Sequence, residues 1–298
     1  MDRIKLRRSV LCVPAVNRRA LAKTATLDCD AVIFDLEDAV ARERKAEARE
    51  NLEQLFINNR PQGKLTAIRI NPLSTDFGRE DMKVAMACQP DAILLPKVET
   101  VANVAAASAI LNANGAPLRV KLWGMIETPE GVLNAHAIAG AFSVASGGRL
   151  ETLVIGVNDL RSETGVLPQF GRPYLVPWLM QVLLAGRAFG LSVVDGVFNN
   201  YTNQDAFVAE CIQGNEMGFD GKMLIHPSQI AGANQHFSPS PAALAEAHAI
   251  IAAFAAPKAQ GQAVLEFNGR MIERLHLEQA EALVAVAEGI EKPEGDSL

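Results

Sequence analysis

Short apolar runs rich in β-branched residues alternate with longer segments of helical spacing through most of this 298-residue chain. The runs are Ser9–Val13, Ala31–Phe34, Thr66–Ile70, Ala92–Leu95, Lys121–Ile126, Thr152–Ile155, Ser192–Val194 and Lys222–Ile225. They are too short for helices and read as strands. Helical spacing fills Asn17–Thr26, Arg42–Asn58, Thr100–Ala113, Pro129–Ala139, Tyr174–Phe189 and Asn203–Met217. Eight strand-then-helix units predict an α/β chain folded as a (β/α)8 TIM barrel, for which about 250 residues is typical. A doubly wound open sheet would carry a Gly-rich phosphate turn after its first strand, and Pro14-Ala15-Val16-Asn17 is not one.

Past Phe237 the texture changes. Ser238-Pro239-Ser240-Pro241 leads into a helical stretch, Ala242–Ala256, followed by an extended run, Ala263–Phe267, a turn at Asn268-Gly269 and a helix from Leu275 to about Gly289. Residues 1–237 are therefore expected to form a catalytic barrel, and residues 238–298 a small C-terminal helical lid or oligomerisation segment.

Composition removes several classes of function. Lys and Arg number 28 against 34 Asp and Glu, a net charge of −6, and no run of basic residues offers a footprint for nucleic acid or anionic lipid. No stretch reaches the ~18 unbroken apolar residues of a membrane span, so a soluble, cytoplasmic protein is expected. The 4 cysteines, Cys12, Cys29, Cys88 and Cys211, form no C-x-x-C pair and read as small buried hydrophobes rather than a disulfide framework or zinc site.

Barrel chemistry sits at the carboxyl ends of the strands, and here those ends are polar. They carry Asp35-Leu36-Glu37-Asp38, Arg69-Ile70-Asn71, Pro96-Lys97, Glu127-Thr128-Pro129, Asn158-Asp159, Asp195 and His226-Pro227. This pattern points to an enzyme. Glu127 and Asp159 come from neighbouring strand ends, so their carboxylates can converge on one Mg2+ ion, or each can cap a helix. Arg69 ends an apolar strand and must be paired. It can hold an anionic ligand, or form an internal salt bridge to Asp35, Glu37 or Asp38. His226 can begin a helix or transfer protons. P-loop, G-x-S-x-G and H-E-x-x-H motifs are absent.

Several segments, taken in order, resemble the citrate lyase β-subunit and malyl-CoA lyase group of the HpcH/HpaI aldolase superfamily. They are Arg8-Ser9-Val10-Leu11-Cys12-Val13-Pro14, Asp30 to Val40, Ile68-Arg69-Ile70-Asn71-Pro72, Leu95-Pro96-Lys97-Val98-Glu99, Ile126-Glu127-Thr128-Pro129-Glu130-Gly131, Gly156-Val157-Asn158-Asp159-Leu160, Gly218 to Lys222 and Ile225 to Ile230. The resemblance implies a Mg2+-dependent carbon-carbon lyase that cleaves a 3-hydroxyacyl-CoA ester, of citramalyl-CoA or malyl-CoA type, to acetyl-CoA and a 2-keto acid. A citrate lyase β-subunit acting on citryl-acyl-carrier protein and a thioesterase on the same scaffold are the alternatives.

Carried over by residue, the resemblance makes Glu127 and Asp159 the metal ligands and Arg69 the grip on the keto-acid carboxylate. Glu37 and Asp38 become the acidic pair supporting metal-bound waters and Arg69. Related free-acid aldolases place a histidine near Asp38, and its absence favours the thioester branch. Arg18, Arg19 and Lys23 either meet coenzyme A phosphates or form a solvated helix face. The family's C-terminal lid carries an acid-base aspartate in a Gly-x-Met-Ile-Asp pattern and often reaches a neighbouring subunit, which implies a homo-oligomer, a trimer or hexamer. Here the pattern reads Gly269-Arg270-Met271-Ile272-Glu273, and the extra methylene of Glu273 moves the carboxyl by about an angstrom, a displacement that can cost orders of magnitude in rate. A second departure is Ala15, where relatives carry Gly after the proline.

Overall fold

Each apolar run becomes a strand of one closed parallel barrel in a computed structural model that describes residues 5–141, 148–256 and 262–291. Residues 1–4 and 292–298, the ends of the two expected domains, lie outside the described residues. The strands are β1 (Ser9–Pro14), β2 (Ala31–Asp35), β3 (Leu65–Arg69), β4 (Ala92–Leu95), β5 (Lys121–Ile126), β6 (Leu150–Ile155), β7 (Ser192–Asp195) and β8 (Gly221–Leu224). They pair in sequence order, and β8 closes on β1 through Ser9↔Lys222, Val10↔Met223 and Leu11↔Leu224. Closure leaves no unpaired edge, and helices follow the strands as a (β/α)8 barrel requires.

Side-chain alternation builds two cores. Val10, Ile33, Ala67, Leu94, Trp123, Met125, Val154, Val194 and Met223 form one buried cluster, the filling of the barrel. Their neighbours Val32, Phe34, Ile68, Ile93, Leu122, Leu153, Val193 and Leu224 pack with helix residues such as Leu52, Leu179 and Phe207 in a larger cluster. A strand's side chains alternate with period two, so this parity also assigns the charged residues. Asp35 lies two after Ile33, Arg69 two after Ala67 and Glu127 two after Met125, and all three belong to the inward set. Asp195 and Lys222 each adjoin an inward residue and belong to the outward set.

Three α-helices among the described residues lie outside the expected segments: Asp76–Cys88, Val157–Thr164 and Ile230–His236. Asp76–Cys88 is opened by Thr75, whose hydroxyl accepts the Gly78 N–H. Val157–Thr164 follows β6 after one residue and stops at Gly165, where φ is +73°. Asp159 therefore stands in the first turn of a helix, not in the strand-end loop that its spacing predicts. Eight residues give too little periodic signal to reveal such a helix.

The described residues divide into two compact units, Arg7–Phe237 and a smaller one made of the described parts of Met1–Leu6 and Ser238–Leu298. The smaller unit contains the helix Pro241–Ala255, strands β9 (Val264–Phe267) and β10 (Arg270–Glu273), and the helix Arg274–Glu291. Asn268 and Gly269, at φ +51° and +74°, turn the antiparallel hairpin as their sequence predicts. Ala247, Ile250, Ile272 and Ala280 form this unit's own core. Among the described residues no helix is long and apolar enough to cross a membrane. All four cysteines are free, and three are buried; Cys12 is half-buried.

Candidate active site

Arg69 and Asp35 face each other in register at the ends of β3 and β2. Arg69 Nε donates to Asp35 Oδ1 at 2.7 Å and Nη2 donates to Oδ2 at 2.6 Å, a bidentate fork in a buried setting. Nη1 lies outside the fork, donating to Met125 Sδ at 3.7 Å and standing 3.2 Å from Glu37 Oε2 and 3.8 Å from Asp38 Oδ2. The internal salt bridge expected as one role of Arg69 is thus present, and it leaves one amino group outside the fork. Asp35 also accepts the N–H groups of Glu37 and Ala39, which wraps the loop after β2 around the carboxylate. Lys45 Nζ secures the same loop by donating to the carbonyls of Leu36 and Glu37 and to Asn71 Oδ1. Burial pushes the Glu37 carboxyl up to about 7; Arg69 opposes the shift, and Asp38 and Asp35 add to it.

Glu127 lies just past β5 and is 3 % exposed. It is not a helix cap: Thr128 holds that position, and its hydroxyl accepts the Gly131 N–H. Glu127 Oε1 instead accepts the Lys97 N–H at 2.8 Å, an amide aimed by a left-handed backbone at Lys97, φ +47°. Burial pushes the Glu127 carboxyl up to about 8, with the Lys97 N–H opposing. Asp159 Oδ2 is buried without a hydrogen-bond partner, and Lys97 Nζ is 3.4 Å away. Gly156 makes this approach possible, since a Cβ there would stand 2.3 Å from Glu127 Cβ and 2.6 Å from Oε2. Lys97 stands among the polar strand ends and Gly156 within a family segment of the sequence, but neither has a role there; the backbone amide of the one and the missing Cβ of the other serve Glu127.

These groups border one cavity of about 370 Å³, lined by Arg69, Asp38, Glu127 and Asp159 together with Cys12, Met125 and Met223. Glu37, 3.2 Å from Arg69 Nη1, is not among the lining residues. The donor set suits a hard divalent cation: two carboxylates, one raised by burial and one with an oxygen lacking a partner, leave room for water and substrate oxygens. Among the described residues no group of three or more His, Cys, Asp or Glu side chains is arranged to hold a metal, so protein oxygens would fill only part of a coordination shell.

Other expected site residues lie elsewhere. Lys23 lines an adjoining cavity of about 520 Å³ with Arg19 and His226; it shares Cys12, Pro14 and Ile225 with the first. Arg18 borders neither, and its Nε donates to Asn51 Oδ1 at 2.6 Å. His226 takes the structural role of its two: Nδ1 accepts the Ser228 N–H, and the ring stacks on Tyr201 at 4.4 Å. Glu273 belongs to the smaller unit, exposed at the end of β10, where its N–H donates to His276 Nδ1.

Comparison with known proteins supplies what geometry cannot. Residues 8–227 match the HpcH/HpaI aldolase/citrate lyase family. The chain is 41% identical over 283 residues to a (3S)-malyl-CoA thioesterase of Cereibacter sphaeroides, covering 95% of each chain. It is 31% identical to an L-malyl-CoA/beta-methylmalyl-CoA lyase of Rhodobacter capsulatus, again over 95% of each. Among solved structures it is similar to protein CitE of Mycobacterium tuberculosis in complex with magnesium, acetoacetate and coenzyme A, with TM-score 0.76 and 27% identity over 94% of this chain and 97% of that one.

Proposed function

This chain belongs to the HpcH/HpaI aldolase/citrate lyase family, and from that premise we propose that it is a Mg2+-dependent enzyme acting on a malyl-CoA-type 3-hydroxyacyl thioester. The observation that carries the reading is one cavity shared by Arg69, the buried Glu127 carboxylate and a half-buried Asp159 whose inner oxygen lacks a hydrogen-bond partner. Those carboxylates would hold Mg2+, which when bound supplies Lewis-acid polarisation of substrate oxygens. Arg69, locked by Asp35 and steadied by Glu37 and Asp38, presents Nη1 to the substrate's free carboxylate and fixes the acyl group's orientation. Lys23 and Arg19 border the adjoining cavity and offer positive charge to coenzyme A phosphates.

The reaction favoured is thioester hydrolysis. The 41% identity with a malyl-CoA thioesterase over 95% of both chains supports it, as does Glu273 in place of the aspartate expected of acid-base work in a lyase. Water adds to the thioester carbonyl, the carbon-sulfur bond breaks, and the thiolate takes a proton to leave as coenzyme A. Carbon-carbon cleavage is the second reading, supported by the 31% identity with a malyl-CoA lyase. In it the 3-hydroxyl gives its proton to a base, the C2–C3 bond breaks to release a 2-keto acid, and the thioester enolate left on C2 takes a proton to become acetyl-CoA. Residues 238–298 enter both readings as a proposed lid and oligomerisation segment of a homo-oligomer, with Glu273 its reactive group.

Product analysis separates the readings. With Mg2+ and malyl-CoA, hydrolysis yields free coenzyme A and malate, whereas cleavage yields acetyl-CoA and glyoxylate; citramalyl-CoA extends the test. No product from either ester would overturn the substrate class. Glu127→Ala and Asp159→Ala should each lower Mg2+ affinity at least tenfold by calorimetry, and unchanged affinity would remove the ligand assignment.

A further inference from the structure

A second cavity, of about 540 Å³, opens beside the first and shares Val197 with it. Behind it lies a buried ionic cluster. Asp195, fully buried, accepts two bonds from Arg172 Nη1 at 2.7 and 2.9 Å and one from Lys222 Nζ at 2.8 Å. Glu210 lines the cavity but is already taken by Lys222 Nζ at 2.8 Å, with Arg172 Nη1 at 3.6 Å. Two acids and two bases thus neutralise one another.

Arg161 is the charge left over. It lines the cavity from the helix Val157–Thr164, it has no hydrogen-bond or ion-pair partner among the described residues, and its Nε is buried and unsatisfied. The Arg172 Nη2 next to this cluster is likewise buried and unsatisfied in a side chain only 1% exposed. The carboxylate that acts on Arg161, Glu210, is already shared with Lys222 and Arg172, and a half-buried guanidinium left with only that shared charge is costly unless a further anion joins it. The remaining walls state which kind. Asn199, Asn200 and Gln169 offer neutral amides, while Phe170 and Phe198 offer apolar surface, and Phe170 is 80% exposed. A polyphosphate would meet one uncompensated cation and two phenyl rings; a carboxylate with an apolar body matches both the single charge and the rings.

We propose that this second cavity binds a small organic carboxylate, its anionic group held by the Arg161 fork and its body against Phe170 and Phe198. The site communicates with the first through Asn199, whose Nδ2 donates to Asn158 Oδ1 at 2.7 Å, next to Asp159. The carboxylate comes either as a free acid or as the acyl end of a second coenzyme A ester, distinct from the one whose carboxylate Arg69 holds. The proposal does not depend on the metal or on turnover.

The test uses the full-length protein in EDTA, so that neither metal nor catalysis enters. Butyrate, benzoate and succinate are titrated by calorimetry into wild type and Arg161→Met, alongside butyryl-CoA and succinyl-CoA; thermal melts confirm that the variant folds. Free-acid binding weakened at least tenfold in Arg161→Met supports the site and identifies a separate small-molecule ligand. Loss of affinity for succinyl-CoA alone, with butyryl-CoA unchanged, supports the site and identifies a carboxylated acyl-CoA as its ligand. Equal affinities in the two proteins, or no binding of any of the five to wild type, overturn it. A smaller oligomer for Arg161→Met with no carboxylate binding also overturns it, by assigning Arg161 to a contact between copies.

Discussion

The charges around Arg69 and those around Asp195 are buried on the same barrel but are balanced in opposite directions. Around Arg69 the acids Asp35, Glu37, Asp38, Glu127 and Asp159 share two cations, Arg69 and Lys97, and burial drives Glu37 to about 7 and Glu127 to about 8. Around Asp195 two acids, Asp195 and Glu210, meet two bases, Arg172 and Lys222, with Arg161 left at the margin. Burial there would raise the Asp195 carboxyl, but Lys222 and Arg172 override it and hold it below the ordinary range. Strand parity explains the division of labour. Asp35, Arg69 and Glu127 point along the inward set and meet at an open cavity, whereas Asp195 and Lys222 belong to the outward set, where Lys222 bonds both Asp195 and Glu210 of the helix Gln204–Met217. A cluster that faces solvent-filled space can be left unbalanced for a ligand; one wedged between barrel and helix must neutralise itself, and only its margin at Arg161 is left over.

The largest effect expected from breaking this contrast is on the outward cluster. Asp195→Ala would strand Arg172 and Lys222, 2% and 0% exposed, and should cost about 3–5 kcal/mol in urea unfolding. A loss under ~1 kcal/mol, below what stranding a buried charge should cost, would mean that the cluster is not a structural unit.

Gly156→Ala acts on the inward cluster by sterics alone. Its Cβ must displace Glu127, so about 1–3 kcal/mol of stability and much of the Mg2+ affinity should go together. Retained metal affinity with lowered stability would separate Gly156 from Glu127.

The smallest effect is the most diagnostic, because the two clusters should respond to pH with opposite signs. Glu127 and Glu37 have folded values raised above the ordinary 4.5, so their stabilising contribution is complete below pH 4.5 and is lost as pH rises through about 7 and 8. Asp195 is depressed, so its contribution is present above its ordinary 3.8 and is lost only as pH falls through its lower folded value. Chelator-treated wild type should therefore lose stability between pH 5 and 8, and Glu127→Gln should flatten that slope without destabilising the fold. A variant with the wild-type slope would show that Glu127 does not carry an unfavourable buried charge.

Legibility followed the same physics. All eight strands are visible as apolar runs, with boundaries off by a residue or so, as at β3, expected at Thr66–Ile70 and found at Leu65–Arg69. Arg69, Glu127 and Asp38 stand out because a charge at the end of a buried strand is conspicuous. Arg172 is not conspicuous. It lies in an irregular stretch at φ +51°, 23 residues before Asp195, and no local pattern joins them. Lys97 is hidden for a related reason, since its backbone amide rather than its side chain type is what Glu127 uses.

Local sequence by itself determined the alternation of elements, the inward or outward face of each strand residue, and the supply of acids at the barrel mouth, because periodicity and burial act over a few residues. Only the tertiary structure decided which charges meet: that Asp35 occupies two nitrogens of Arg69, that Asp159 Oδ2 has Lys97 nearby but no hydrogen-bond partner, and that Arg161 is left over beside a neutral cluster. Neutralisation depends on distances across strands and helices far apart in the chain, and a buried charge registers its partners only once the barrel has closed.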